Sequence, residues 1–115
     1  MESTATLRHV RVSARKARLV ADLVRGKDVP DAIEVLSFLQ KKSAPLVRKL
    51  IESAVANAEF AAGRDETSVD VDRMFVKTIF VNAGTTLRRF RPRAQGRATK
   101  VLKKTSSITV ILGTR

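Results

Sequence analysis

The stretch from residue 82 to residue 107 constrains the fold most, because it is too polar to bury a core of its own. Its large apolar side chains are Leu87, Phe90, Val101 and Leu102. Both flanks favour strands, since β-branched and aromatic residues fill Met74 to Val81 and apolar residues alternate from Ile108 to Leu112. Arg93-Ala94-Gln95-Gly96 supplies a turn between them. The sequence therefore predicts a long β-hairpin whose base joins a sheet and whose tip projects away.

The basic side chains of the predicted hairpin repel one another. Eight basic residues lie between Arg88 and Lys104, and a two-stranded ribbon is marginal in water even without such repulsion. The chain has a net charge of +12, and the part after Asp72 contains eleven lysines or arginines and no carboxylate. Residues 19–72, in contrast, contain ten of the acidic side chains. This asymmetry predicts a polyanionic partner that orders the hairpin.

Apolar residues at helical spacing predict three helices ahead of the hairpin. The first runs from Ser13 to Gly26, the second from about Pro30 to near Gln40, and the third from Ser43 to Gly63. The apolar residues assigned to their inner faces are Ala17, Val20, Leu23 and Val24, then Ile33, Leu36 and Leu39, then Val47, Leu50, Ile51, Ala54, Val55, Ala58 and Ala61. A short strand is predicted from Thr4 to Val12.

These elements predict a single α+β domain over residues 1–115, with three helices packed on a small antiparallel sheet and residues 82–107 as a protruding basic hairpin. Phe38, Phe60 and Phe80 are assigned to the core. Because the chain has no tyrosine or tryptophan, base stacking is not expected to be its main mode of nucleic-acid binding.

Two basic groups are candidate RNA contacts. The run from Arg88 to Arg93 combines guanidinium groups, which fork onto phosphate oxygens, with one aromatic ring and a stiffening proline. The second group straddles the start of the first helix, where a bound phosphate is favourable, and consists of Arg8, Arg11, Arg15, Lys16 and Arg18. The alternatives are a solvated flexible tail for the first group and a solvated strand and helix face for the second. Lys41 and Lys42 are interpreted as a helix end.

Several function classes are excluded or disfavoured. Without cysteine there is no disulfide, no cysteine-ligated zinc and no thiol nucleophile, and the single His9 cannot build a metal site alone. No apolar run approaches the ~20 residues of a membrane span, and the first residues lack a secretory apolar stretch, so a cytoplasmic protein is expected. Asp70 and Asp72 have the spacing to share one face of an extended segment and hold a divalent ion, but no third ligand accompanies them in a motif.

The basic segment closely resembles the signature of the L22 family of bacterial large-subunit ribosomal proteins. The matching residues are Arg88, Arg93-Ala94-Gln95-Gly96-Arg97 and Ser107-Ile108-Thr109-Val110-Ile111-Leu112. Ser13-Ala14-Arg15-Lys16-Ala17-Arg18, Ala32-Ile33-Glu34-Val35-Leu36 and Ala56-Asn57-Ala58-Glu59 extend the resemblance over nearly the whole chain. Ser107 is a departure, because the family often has histidine at this position.

The resemblance implies a structural constituent of the large subunit that binds 23S rRNA, aids assembly and lines the nascent-peptide exit tunnel with its hairpin tip. The residues expected to contact rRNA are Arg8, Arg11, Arg15, Lys16, Arg18, Arg88, Arg89, Arg91, Arg93, Arg97, Lys100, Lys103 and Lys104. The expected tip is Arg89, Phe90, Arg91, Pro92, Arg93 and Ala94. Neighbouring ribosomal proteins and the nascent chain are the other expected partners, with no cofactor, metal or homo-oligomer. The alternatives are a free-standing nucleic-acid-binding regulator and a nuclease built on Asp70 and Asp72.

Overall fold

The computed structural model describes residues 2–64, 70–84, 86–92 and 98–114, and within it residues 87–92 and 98–103 are described by their backbone. The elements in chain order are β1 (Glu2–Val10), α1 (Ala14–Val24), α2 (Val29–Phe38), α3 (Ala44–Arg64), β2 (Met74–Ala83), β3 (Leu87–Pro92), β4 (Ala98–Lys103) and β5 (Ser106–Thr114). Three helices and a three-stranded antiparallel sheet confirm the predicted α+β class. The predicted turn at residues 93–96 lies outside the described residues.

The helices follow the predicted periodicity. In α1 the buried face is Ala17, Val20, Ala21 and Val24, and Gly26 follows with a φ of 83°, a conformation that a side chain would make costly. Pro30 stands in the first turn of α2, where its missing N–H is not needed. The long α3 buries Val47, Leu50, Ile51, Ala54, Ala58 and Ala62 against α2 and the sheet.

Strand β5 is the centre of the sheet, because the order is β1-β5-β2 with both pairs antiparallel. Its inward residues Ile108, Val110 and Leu112 are completely buried, as are Met74 and Val76 on β2. Strand β1 begins and ends two residues earlier than predicted. Its inward residues Ser3 and Ala5 are buried, and the Ser3 hydroxyl donates to the Ala54 carbonyl at 2.5 Å, which fastens β1 to α3.

The three phenylalanines assigned to the core are exposed instead, and that prediction was wrong. Phe38 is 81% exposed, Phe60 74% and Phe80 40%, and Leu23, assigned to the inner face of α1, is 46% exposed. Phe80 lies between the buried Ile79 and Val81, so it takes the opposite face of the strand. Because the helices cover one face of the sheet, the apolar residues of the other face stay in solvent.

The hairpin strands form a sheet of their own. β3 and β4 pair in antiparallel register from Leu87 opposite Lys103 to Pro92 opposite Ala98. At its base the Gly84 N–H donates to the Thr105 carbonyl at 2.8 Å, and a Cβ on Gly84 would lie 2.7 Å from the Thr105 hydroxyl, so a larger residue here would force the Thr105 side chain to shift. The molecule measures 67 × 28 × 16 Å with a radius of gyration of 17.6 Å, well above the ~13 Å expected for a globular chain of this length.

Candidate nucleic-acid interface

The five basic residues predicted around the start of α1 are all exposed: Arg8, Arg11, Arg15, Lys16 and Arg18. The segment that presents them is fixed from both sides. The buried Ser106 hydroxyl donates to the Val12 carbonyl at 2.9 Å, and the Lys42 ammonium donates to the Arg11 carbonyl at 3.2 Å. Lys42 therefore does more than end a helix, because it holds the segment that leads into α1.

A β-bulge interrupts β1 within this cluster. Leu7 pairs with Ile108 and Val10 with Ser106, so Arg8 and His9 stand opposite Ser107 alone. His9 has a φ of 57°, and histidine is one of the few side chains that adopt this left-handed conformation with some frequency. A bulge bends its strand and increases its twist. Ser107, the departure from the family pattern, thus lies opposite the bend that presents Arg8.

Arg18 is partly engaged within the protein. Its Nε and one Nη donate to the Val81 carbonyl at 3.1 and 3.0 Å, while Arg25, two helical turns later, donates to the Ile79 carbonyl at 2.8 Å. Both acceptors lie on β2, an edge strand of the three-stranded sheet. Unpaired edge groups invite pairing with other chains, and the two arginines cover them. Arg18 keeps further donors for a phosphate, so its predicted role in RNA binding stays a prediction.

Arg15 of the cluster around the start of α1 and Lys104 at the base of the hairpin, far apart in the sequence, line one cavity. Its volume is about 220 Å³, several times the roughly 30 Å³ of a water molecule, and Ser13, Ala14, Arg15, Ala83, Thr86, Lys104 and Thr105 line it. The cavity therefore joins the first turn of α1 to the base of the hairpin. No acidic residue stands in that turn, and the Ser13 side chain makes no capping hydrogen bond. The positively polarised helix end, Arg15 and Lys104 together favour an anion here.

The register of the hairpin separates its charges. Arg88 pairs with Leu102, Arg89 with Val101 and Arg91 with Thr99, while Lys100 and Lys103 pair with Phe90 and Leu87. Every cation of the described ribbon thus has an uncharged partner, which avoids the cost of like charges placed directly opposite each other. Arg93, Ala94 and Arg97 lie outside the described residues. The ribbon can therefore hold a high density of positive charge along both strands.

The paired carboxylates considered as a metal site have a local structural role. Asp70 precedes a 3₁₀ turn, Val71–Arg73, and its Oδ1 accepts a hydrogen bond from the Asp72 N–H at 3.0 Å. The segment is therefore a turn and not the extended strand that the spacing suggested. Within the described ranges, no three histidine, aspartate or glutamate side chains come together as metal ligands.

Comparison with known proteins identifies the family. A profile of the family Ribosomal protein L22p/L17e matches residues 5–113. The chain belongs to this family. It is 60% identical to the large ribosomal subunit protein uL22 of Bdellovibrio bacteriovorus, 54% to that of Geobacter metallireducens and 55% to that of Syntrophobacter fumaroxidans, with 97% of each chain covered in every case.

Membership of the L22 family confirms the resemblance found in the basic signature. Proteins of this family are structural components and not enzymes, so the nuclease alternative at Asp70 and Asp72 is excluded. Among the described residues no helix is long and apolar enough to cross a membrane.

Sequence reasoning missed several residues that build this interface. Thr86 and Thr105 line the cavity with Arg15 and Lys104, and Arg25 shares the β2 edge with Arg18. The spacing of Arg18 and Arg25 was a usable signal, because residues seven apart lie on the same side of a helix and the predicted first helix extends past Arg25 to Gly26. Nothing in the sequence indicated the threonines, because their position depends on how the hairpin base packs against the helix.

Proposed function

We propose that this protein is a structural constituent of the large ribosomal subunit and binds 23S rRNA through basic residues around the start of α1 and along the hairpin. We call this set of residues the rRNA face; it consists of Arg8, Arg11, Arg15, Lys16, Arg18, Arg88, Arg89, Arg91, Arg93, Arg97, Lys100, Lys103 and Lys104. The observation that carries the proposal is the cavity in which Arg15 and Lys104 meet at the first turn of α1. An rRNA phosphate bound there would contact the domain and the hairpin at once.

The binding mechanism is electrostatic and makes or breaks no covalent bond. Lysine and arginine side chains neutralise phosphates and release the counterions condensed on the RNA, which drives association. Phosphates should stabilise the hairpin most, because they reduce the repulsion among its closely spaced basic side chains. Contacts from the domain and from both hairpin strands would hold separate RNA segments together. We infer that the protein aids subunit assembly by acting as this clamp.

The hairpin is the part proposed to reach the nascent-peptide exit tunnel. The residues proposed for its tip are Arg89, Phe90, Arg91, Pro92, Arg93 and Ala94. The support is the elongated shape of the molecule, with the paired strands β3 and β4 in a sheet separate from the domain, together with the family resemblance at the same residues. In that position the tip would contact the nascent polypeptide, and neighbouring large-subunit proteins would contact the domain.

Sedimentation tests membership of the subunit. A tagged chain in host lysate is run on a sucrose gradient after a wash at high salt, which detaches proteins that are held only by loose electrostatic contact. We expect co-sedimentation with the large subunit in near-stoichiometric amount. Release into the light fractions would instead favour a free-standing regulator.

Paired variants test the rRNA face. The double variant Arg15→Ala/Lys104→Ala removes both cations of the cavity, and we expect it to weaken binding to a 23S rRNA fragment and to lower the slope of log affinity against log salt by about two. The double variant Lys49→Ala/Arg73→Ala is the matched control, because it also removes two exposed cations and neither belongs to the rRNA face. An equal loss in the control would mean that net charge, and not this surface, determines binding.

Deletion of residues 88–96 tests whether the hairpin tip reaches the exit tunnel. The deleted residues that the structure describes, 88–92, belong to the hairpin sheet and not to the three-stranded sheet, so the shortened chain should still fold and enter the subunit. We expect altered sensitivity to macrolides and altered stalling by nascent peptides. An unchanged response to both, in ribosomes that contain the shortened chain, would place the tip elsewhere.

A further inference from the structure

The outer side of α2 carries a groove that is not part of the rRNA face. It encloses about 560 Å³, and Lys27, Asp31, Glu34, Val35, Phe38 and Leu39 line it. Asp31, Val35 and Phe38 recur at the spacing of one helix face. The groove is open to solvent and is more than twice as large as the cavity between α1 and the hairpin.

The lining of the groove has a net negative charge, because Asp31 and Glu34 outnumber its one cation, Lys27, in a chain whose net charge is +12. Residues 28–40 contain three carboxylates and no lysine or arginine, whereas the whole chain has 23 basic residues. Among the described residues neither Asp31 nor Glu34 forms an ion pair. The helix dipole accounts for Asp31 in the first turn, but it does not account for Glu34, which is in the middle of the helix. These carboxylates would repel RNA phosphates, so this side does not suit an rRNA contact.

Three apolar side chains also line the groove. Phe38 is 81% exposed, and Val35 and Leu39 beside it are only partly buried. A single exposed phenylalanine needs no explanation, but an aromatic ring beside other apolar side chains and a polar rim has the composition of a protein interface. Such rings are frequently the anchors of binding.

We propose that this groove binds a lysine- and arginine-rich segment of a neighbouring ribosomal protein, with an apolar side chain of that segment against Phe38 and basic side chains on Asp31 and Glu34. The proposal rests on the proposed function, since the partner is a protein of the same subunit. Proteins that are themselves held on rRNA are rich in basic segments, and the charge of the groove is complementary to such a segment. The rRNA face and the α2 groove thus take partners of opposite charge.

Photo-crosslinking in the assembled subunit identifies the occupant. A benzophenone-bearing phenylalanine replaces Phe38, large subunits containing the chain are purified and irradiated, and the crosslinked product is identified by mass spectrometry. We expect a crosslink to a basic segment of one ribosomal protein. A crosslink to rRNA, or irradiation without any crosslink, would overturn the proposal. Failure of the chain to co-sediment with the subunit would refute the proposed function instead.

Charge reversal tests the role of the acidic rim. Glu34→Lys, combined with the photoreactive group at position 38, should lower the crosslink yield about tenfold, because like charges placed together at an interface are strongly unfavourable. Glu59→Lys on α3 is the control, since it changes the net charge equally at another exposed carboxylate. The control should leave the yield unchanged, and both variants should sediment with the subunit. Equal yields from the two variants would show that the rim does not select the partner.

Discussion

Replacing Arg18 by alanine should destabilise the domain, although this residue belongs to a cluster of exposed cations. The Arg18 guanidinium donates twice to the Val81 carbonyl, at 3.1 and 3.0 Å, on the edge of β2. The alanine variant leaves this carbonyl to water and removes a contact between α1 and the sheet. Arg15, three residues earlier on the same helix, has no such contact among the described residues and serves as the control.

The expected size follows from the hydrogen bonds. A hydrogen bond to a charged group contributes roughly 1.5–3 kcal/mol net, and partial exposure of this edge, where water can replace the guanidinium, reduces the expected loss to about 1–2 kcal/mol. The unfolding entropy of a chain of 115 residues is about 0.24 kcal/mol per kelvin. The melting temperature of Arg18→Ala should therefore be about 4–8 °C lower than that of the unchanged protein.

Thermal unfolding followed by circular dichroism measures this shift, and filter binding to a 23S rRNA fragment measures affinity in the same samples. Arg15→Ala should bind more weakly with an unchanged melting temperature. Arg18→Ala should mainly lower the melting temperature, and its loss of affinity for the rRNA fragment should be smaller than that of Arg15→Ala. If Arg18→Ala melts within a degree of the unchanged protein, the hydrogen bonds to Val81 do not stabilise the sheet edge and the reasoning fails.

Three further predictions concern the domain, and thermal melts check each of them. Ser106→Ala leaves the buried carbonyl of Val12 without its donor and should cost about 1–3 kcal/mol; an unchanged melt would show that this carbonyl finds another partner. The Lys77 ammonium lowers the pKa of Glu2 below its ordinary value of 4.5, mainly through their hydrogen bond, so this pair stabilises the fold above that pH and its contribution is lost as the pH falls further. The difference in melting temperature between Lys77→Met and the unchanged protein should accordingly be present at pH 7 and disappear in acid. His9→Val forces a β-branched residue into the left-handed region and should cost roughly 1–2 kcal/mol, whereas His9→Gly should not.

The dual use of α1 follows from where its basic residues point. Arg15 and Lys16 extend from an exposed surface, while Arg18 and Arg25 turn toward the edge of β2 and cover carbonyls that would otherwise be open to another chain. One helix therefore exposes cations to solvent and protects the edge of the sheet beside it. For this reason, binding and stability should separate between neighbouring residues of the same cluster.

Periodicity in the sequence determined the helices and strands, and its charge predicted a polyanionic partner. The apolar spacing from Ala17 to Val24 predicts a helix, and the alternation from Ile108 to Leu112 predicts a strand. Neither prediction needs the packing partner, because both patterns reflect local backbone geometry. The hairpin followed from a polar stretch between two strand-forming segments. The basic signature and the family assignment were also available from the sequence, because both depend on residue types in order.

The tertiary structure decided which apolar residues are buried and which distant residues meet. Phe38, Phe60 and Phe80 have core-like side chains, yet they are exposed, because the helices cover one face of the sheet and small residues such as Ala58 and Ala62 take the inner positions. The meeting of Arg15 and Lys104 at one cavity, and the coverage of the β2 edge by Arg18, depend on how α1 docks beside the hairpin base. Such contacts join residues far apart in the chain, and no local pattern records them, since they result from packing the whole domain.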